Sequence, residues 1–223
     1  MLVLAFDTAT PVVTVAIHDG DRVLAEVTKA DARRHGELLA PSIASVLGES
    51  GTTLDAITAV VTGIGPGPYT GLRVGVVTAC ALGAALDVPV HGICTLDAIA
   101  YDVVHGAGTR APREPFLVAT DARRKEVYWA EYSAAGIRLS GPSVNRPPDL
   151  PPSRPAAGQG AWQYPQSFGG LLEPRLPAAG ALAALAARRL TAGLPLLPPR
   201  PCYLRLADAR IPGPPKAVTA RSR

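Results

Sequence analysis

Charge and aromatic rings are scarce in this chain: 18% of its 223 residues are charged and 5% aromatic, against an apolar share of 48%. So little charge beside so much apolar material excludes a disordered segment, which cannot bury enough surface to offset its ordering entropy. Cysteine is equally sparse. Cys80, Cys94 and Cys202 are an odd number, far apart, with no Cys-x-x-Cys and no histidine at ligand spacing. That excludes a disulfide scaffold or a zinc knuckle, and three reduced core thiols are expected. No uninterrupted run approaches the ~18 apolar residues of a membrane span. The opening Met1-Leu-Val-Leu-Ala-Phe-Asp7 carries no basic segment before its apolar stretch, so a buried strand is expected there and not a secretory leader. The expectation is a cytoplasmic protein without a membrane.

What is present has two textures. Seven of the 23 prolines precede residue 116 and 16 lie from Pro142 to Pro215, so the stretch from Gly141 to Pro155 is expected to be an irregular loop. The net charge of +4 is equally uneven: residues 188–223 hold eight Lys or Arg against Asp208, leaving the remainder acidic. A basic tail can attract RNA phosphates, but a solvated chain end is the simpler expectation. No internal repeat is visible.

Leu2 to Phe6, Val12 to His18 and Arg22 to Val27 read as three strands of a meander, with a turn at His18-Asp-Gly-Asp21. Glu37 to Leu47 has helical period, with Pro41 kinking that helix or beginning its main part. Then come a strand (Ala56 to Thr62), a helix (Thr70 to Leu86), a strand (Val88 to Cys94) and a helix (Leu96 to Val104). The order βββαβαβα makes a mixed α/β sheet with helices on its faces. It resembles the half-domain of the actin, sugar-kinase and Hsp70 superfold, of ribonuclease H-like type. A second half opens with strands from Pro115 to Thr120 and Glu126 to Tyr132, the latter with Val127 and Trp129 on one face and Tyr128 on the other. It then fades into the proline-rich loop and one Ala-rich helix from Ala179 to Leu190. Two lobes are expected, 1–108 and a truncated 109–195, with a tail at 196–223 packing partly back on the first.

Two segments carry candidate chemistry. Phe6-Asp7-Thr8-Ala-Thr10-Pro11 places an acid and two hydroxyls in a tight turn, which in the superfold faces nucleotide phosphates; Asp and Thr are also ordinary turn formers. Val61-Thr-Gly-Ile-Gly-Pro-Gly-Pro-Tyr-Thr-Gly-Leu-Arg-Val-Gly75 joins a strand end to a helix start, with Thr70 as a candidate N-cap. It has neither the Gly-Lys-Ser/Thr ending of a P-loop nor a dinucleotide fingerprint. Gly71, Gly75, Ala79 and Gly83 then recur every fourth residue, a stripe suited either to tight packing on its own sheet or to a partner's helix.

These segments, with His35, Leu39 and Pro41, with Asp121-Ala-Arg-Arg-Lys-Glu-Val-Tyr-Trp129 and with Pro201-Cys-Tyr-Leu-Arg205, occur in an order that resembles the TsaB (YeaZ) family, the small paralogue of TsaD. The resemblance implies a non-catalytic subunit that binds a TsaD-like transferase, with a TsaE-like ATPase joining, in making threonylcarbamoyladenosine beside the anticodon of tRNAs reading codons that start with A. It implies a partner face on the first two helices, for which His35, Leu39, Gly71, Arg73, Gly75, Ala79 and Gly83 are the candidates. Weak ATP or ADP binding at Asp7, Thr8 and Thr10 or at the subunit interface, indirect contact with tRNA and a homodimer through the same stripe accompany it. No cofactor is required. The His-x-x-x-His pair of TsaD-like proteins is missing, since His91 has no partner four residues on, so no metal is expected. Neither a Gly-x-Ser-x-Gly elbow nor a histidine next to Cys94 is present. The alternatives are an autonomous ATPase or kinase of the superfold, and a self-associating scaffold.

Overall fold

Three strands open the chain as an antiparallel meander, β1 (Val3–Asp7), β2 (Val12–His18) and β3 (Val23–Ala30). The computed structural model describes residues 1–31, 34–106, 112–151 and 153–205. A helix α1 (His35–Ser50) leads to β4 (Ala59–Gly63), which pairs parallel with β1, and α2 (Tyr69–Leu86) leads to β5 (Val90–Ile93), parallel with β4. The first sheet has the order β3-β2-β1-β4-β5. All seven residues of β2 are buried, because both faces of this sheet are covered. Leu4, Phe6, Val15 and Ile17 meet Leu39, Ile43 and Val46 of α1 and Ala79 of α2 on one face, and Val3, Ala5 and Val61 point to the other. Each of the large side chains there is worth about 1.5–3 kcal/mol relative to exposure.

Pro41 lies inside α1 and does not end it. The carbonyl it leaves without a donor, that of Glu37, belongs to an exposed residue where water can serve it. Thr70 is not the N-cap of α2: the helix starts one residue earlier, capped by Pro68 in extended conformation with no side-chain hydrogen bond. This 18-residue helix, with mean hydropathy 1.4, is long and apolar enough on average to meet the test for a membrane span, although Thr70, Arg73 and Thr78 interrupt its apolar run.

The second sheet reproduces the first. Its order is β10-β9-β6-β7-β8, from β6 (Phe116–Asp121), β7 (Val127–Tyr132), β8 (Arg138–Asn145), β9 (Pro155–Ala157) and β10 (Gly170–Leu171). β6, β7 and β8 form the antiparallel meander, and β9 joins β6 in parallel, as β4 joins β1. Thus the chain holds a topological repeat that its residues do not display. The second copy is shortened: a single 3-10 turn, Pro147–Asp149, stands in the place of α1, and the five-residue α4 (Gln159–Gln163) in that of α2. The expected irregular loop from Gly141 to Pro155 begins instead inside strand β8, to Asn145, and continues through that 3-10 turn. Pro142, the one proline inside β8, is tolerated because β8 is an edge strand, whose outer N–H groups need no ladder partner.

Two helices lock the sheets together. α3 (Thr95–His105), which follows the first sheet in sequence, packs Leu96, Ile99 and Val103 onto Phe116, Val118 and Tyr132 of the second. α5 (Ala179–Thr191), which follows the second sheet, packs Leu182, Ala183 and Ala186 onto Val3, Ala5 and Val61 of the first. The division at 195 placed α5 with the second lobe, yet its apolar stripe is buried on the first sheet. Beyond it Leu197 bridges to Gly92 and the Cys202 N–H donates to the Ile64 carbonyl at 2.8 Å. The basic stretch 206–223 lies outside the described residues.

Candidate functional site

The β1–β2 turn is cradled by glycine. Asp7, Thr8 and Thr10 are buried at its centre, 0%, 1% and 4% exposed. The Asp7 carboxylate accepts from the Thr95 hydroxyl at 2.6 Å and from the Ala9 N–H at 2.6 Å. Thr95 in turn accepts from the Gly65 N–H at 3.2 Å, which ties the turn to the Gly-Pro segment and to the start of α3. A Cβ at Gly63 would lie 1.8 Å from Asp7 Oδ2, at Gly67 2.1 Å from the Ala9 carbonyl oxygen, and at Gly71 2.3 Å from that of Thr8. These glycines therefore admit the chain's own hairpin, and the close approach that a nucleotide-binding reading requires for phosphate is already occupied by backbone. Both Asp7 oxygens are engaged internally.

Most of the stripe on α2 faces inward. Gly71, Gly75, Ala79 and Gly83 are buried, and added Cβ atoms at Gly75 and Gly83 would lie 2.5 Å from Thr8 Oγ1 and 2.1 Å from Val90 Cγ2. Leu39 is 2% exposed within the core of the first lobe. His35 is half-buried, and its Nε2 lies 2.8 Å from the Thr10 carbonyl oxygen. Of the seven residues expected at a partner face, Arg73 alone is fully on the surface, because close packing on β4 and β5 and contact with a partner cannot use the same side of one helix. The outer face of α2 instead presents Val77, 65% exposed, with Ala81 and Ala84 and with Cys80, which the sequence reading had placed in the core. Ala40, Ala44 and Gly48 are exposed on the neighbouring α1. At the N-terminal end of this apolar face the Arg73 guanidinium sits 3.9 Å over the Tyr69 ring, and Tyr69 stacks on Tyr203 at 4.6 Å. Tyr69 and Tyr203 lay within quoted motifs, but nothing in their spacing told that 134 residues of chain close into one stack.

Beside the hairpin lies a cavity of about 240 Å³ lined by Thr8, Thr10, His35, Thr70, Gly71 and Arg123. Thr10 Oγ1 has no hydrogen-bond partner, and the first turn of α2 offers N–H groups at the same place. The cavity can thus accept a small anion. Burial pushes the carboxyls of Asp7, Asp97 and Asp102 above the usual range, although hydrogen bonds from Thr95 and Ala9 and the His35 charge pull Asp7 back. Burial, with Asp97 nearby, pushes the Cys94 thiol up to about 12, so it supplies no thiolate nucleophile near neutral pH. Among the described residues no three His, Cys, Asp or Glu side chains lie together as a metal site would need.

The raised carboxyls predict the direction of the pH dependence. Between the unfolded value near 3.8 and the higher folded value the native state binds more protons, so their contribution to stability is full below pH 3.8 and is lost as pH rises through the folded value. Asp97→Asn keeps an acceptor for the Tyr132 hydroxyl, which donates to Asp97 Oδ1 at 2.8 Å. Urea unfolding from pH 4 to 7 is expected to show a shallower decline of stability for this variant than for the parent. An unchanged slope would contradict the assignment.

Residues 22–161 match the family model of TsaD, tRNA N6-adenosine threonylcarbamoyltransferase. An uncharacterised protein of Mycobacterium tuberculosis is 43% identical over 212 residues, 93% of each chain. The tRNA threonylcarbamoyladenosine biosynthesis protein TsaB of Escherichia coli is 38% identical over 132 residues, 59% of this chain and 55% of its own. The solved structure of YeaZ from Pseudomonas aeruginosa superposes with a TM-score of 0.76 at 29% identity, over 91% of this chain and 100% of its own. The chain belongs to the TsaB (YeaZ) family. Its actin-like fold is that expected from the order of elements. In this TsaB-family chain the hairpin and the Gly-Pro turn are a tightly packed unit, and the exposed ground is the outer face of α1 and α2.

Proposed function

We propose that this chain is the non-catalytic subunit of a tRNA threonylcarbamoyl-transferring assembly, binding a TsaD-like transferase and supporting transfer to the adenosine beside the anticodon. The observation that carries the reading is the outer face of α1 and α2. An exposed valine among alanines and a glycine, with Arg73 stacked on Tyr69 and Tyr69 on Tyr203 beside it, offers an apolar area on which a partner's helices can approach closely and an aromatic-arginine anchor. The name carried by the Escherichia coli relative supports the pathway. The internal use of Asp7 and the suppressed acidity of Cys94 support a role without chemistry of its own. A TsaE-like ATPase reaches the chain through the assembly, and weak ATP or ADP binding falls at the subunit interface, where the cavity beside Thr10 opens next to the first turns of α1 and α2.

The test is omission. Unmodified tRNA, threonine, bicarbonate and ATP are incubated with the organism's TsaC-, TsaD- and TsaE-like proteins with and without this chain, and modified adenosine is measured by mass spectrometry. Product is expected only when the chain is present. Equal product without it would overturn the accessory role, and nucleotide turnover by the isolated chain, the mark of an autonomous ATPase, would then be measured.

A further inference from the structure

Helix α5 ends in a closure whose usual apolar contact is missing. Gly193 stands at φ 65°, its N–H donates to the Leu190 carbonyl at 3.1 Å, and the Leu194 N–H donates to the Arg189 carbonyl at 2.9 Å. In this kind of helix end the residue in the place of Leu194 ordinarily packs on an apolar side chain at one of the positions that Arg188 and Arg189 occupy here. Leu194 is instead 56% exposed. It lines a groove of about 730 Å³ together with Ile137, 67% exposed, from the turn between β7 and β8. That turn is fixed by the Ser133 N–H to the Ile137 carbonyl and the Gly136 N–H to the Ser133 carbonyl, both at 2.8 Å. Two large apolar side chains are thus held in place without a neighbour to cover them.

The charges in the groove do not balance. Arg138, Arg188 and Arg189 line it against one carboxylate, Asp97. Arg138 lies 3.5 Å from Asp97, which also accepts from the Tyr132 hydroxyl, and Arg189 acts on Asp97 from beyond ion-pair distance. Arg188 Nη1 lies 3.1 Å from His105 Nε2, while His105 Nδ1 lies 3.1 Å from the Tyr101 carbonyl oxygen. The ring therefore donates through Nδ1 and accepts through Nε2, a neutral partner that leaves the Arg188 charge uncancelled. The last turn of a helix favours cations, which suits both α5 arginines but gives them no counter-charge. We propose that this groove docks an acidic peptide segment of a protein partner, with carboxylates on Arg188 and Arg189 and an apolar side chain against Leu194 and Ile137. Charge selects this occupant over the chain's own basic stretch 206–223. RNA suits it less, because Tyr101 and His105 already stack on each other at 4.3 Å and the exposed leucine and isoleucine would face phosphate. Because α5 covers the face of the first sheet opposite α1 and α2, a partner here and one on the outer face of α1 and α2 can be held at once.

Selection of displayed random peptides on the full chain, followed by fluorescence anisotropy of a selected peptide carrying a label, tests it. Sequences that join Asp or Glu to Leu, Ile or Phe are expected. Their affinity should fall about 10-fold or more for Arg188→Gln with Arg189→Gln, since two charge-assisted contacts are lost. Glutamine is nearly as good a helix former, so the melting temperature of that variant is expected to stay within about 2 °C of the parent. Ile137→Ser with Leu194→Ser is expected to weaken the same peptide about 10-fold with its salt dependence unchanged. In the arginine variant the loss of affinity between about 50 and 200 mM salt is expected to flatten. Selected peptides without acidic residues, or acidic ones that bind the arginine variant as well as the parent, would overturn the proposal. So would a labelled single-stranded oligoribonucleotide that binds the parent more tightly than the peptide and loses that binding in the arginine variant, which would assign the groove to nucleic acid. The omission result separately decides the accessory role.

Discussion

Gly75→Leu is expected to lose much of the fold before it loses any partner. The Cβ would lie 2.5 Å from Thr8 Oγ1 and 3.2 Å from Thr62 Oγ1, inside a helix whose own position is set by β4, and leucine adds three more heavy atoms in the same place. Overpacking of this kind costs about 3 kcal/mol or more where neither side can withdraw. For a chain of this size that lowers the melting temperature by roughly 6–12 °C. Thr8 cannot yield cheaply, since its hydroxyl donates to the Gly71 carbonyl at 2.7 Å and its backbone lies against Gly71 as well. Thermal unfolding followed by circular dichroism checks this. A variant with parental melting temperature and weakened partner binding would mean that the stripe faces the partner, as one reading of the sequence had it.

Val77→Arg is expected to do the reverse. At 65% exposure on the outer face of α2, Val77 loses little packing when replaced, so the melting temperature should stay within about 2 °C of the parent. Its position on the same helix face as Ala81 and Ala84 would put a guanidinium into the apolar contact proposed there. Disruption at the centre of such an interface costs about 2 kcal/mol or more, at least 30-fold in affinity. Titration calorimetry against the TsaD-like partner, with the yield of modified adenosine as a second readout, measures it. Affinity within twofold of the parent would remove this face from the interface. Taken with Gly75→Leu, the pair separates the two sides of one helix.

Much of the fold was legible because hydrophobic period is a local property. The meander, the helix after it and the two βα units stand close to where the apolar runs put them, and β2 matches from Val12 to His18. The second sheet was half legible. β6 and β7 announce themselves by length and alternation, whereas β9 and β10, three and two residues long, exist only because β6 is there to pair with them. Proline misled at β8, where edge position excuses what a central strand would forbid. For the site, residue type was read correctly and direction was not. The four-residue recurrence of Gly71, Gly75, Ala79 and Gly83 says that something approaches one side of α2 closely, and is silent on whether that neighbour is the chain's own hairpin or another molecule.

The sequence by itself determined which segments are strands and helices, the family, and the set of residues from which a site could be made, since these follow from side-chain period and from motifs contiguous along the chain. Tertiary structure alone decided that the second sheet repeats the first, that α3 and α5 each cover the other lobe's sheet, that the glycines hold the Asp7 turn, and that Arg73 finds Tyr203. Those relations join residues from tens to over a hundred positions apart, and what selects them is the burial of apolar faces against each other, a quantity that exists only once the chain has closed.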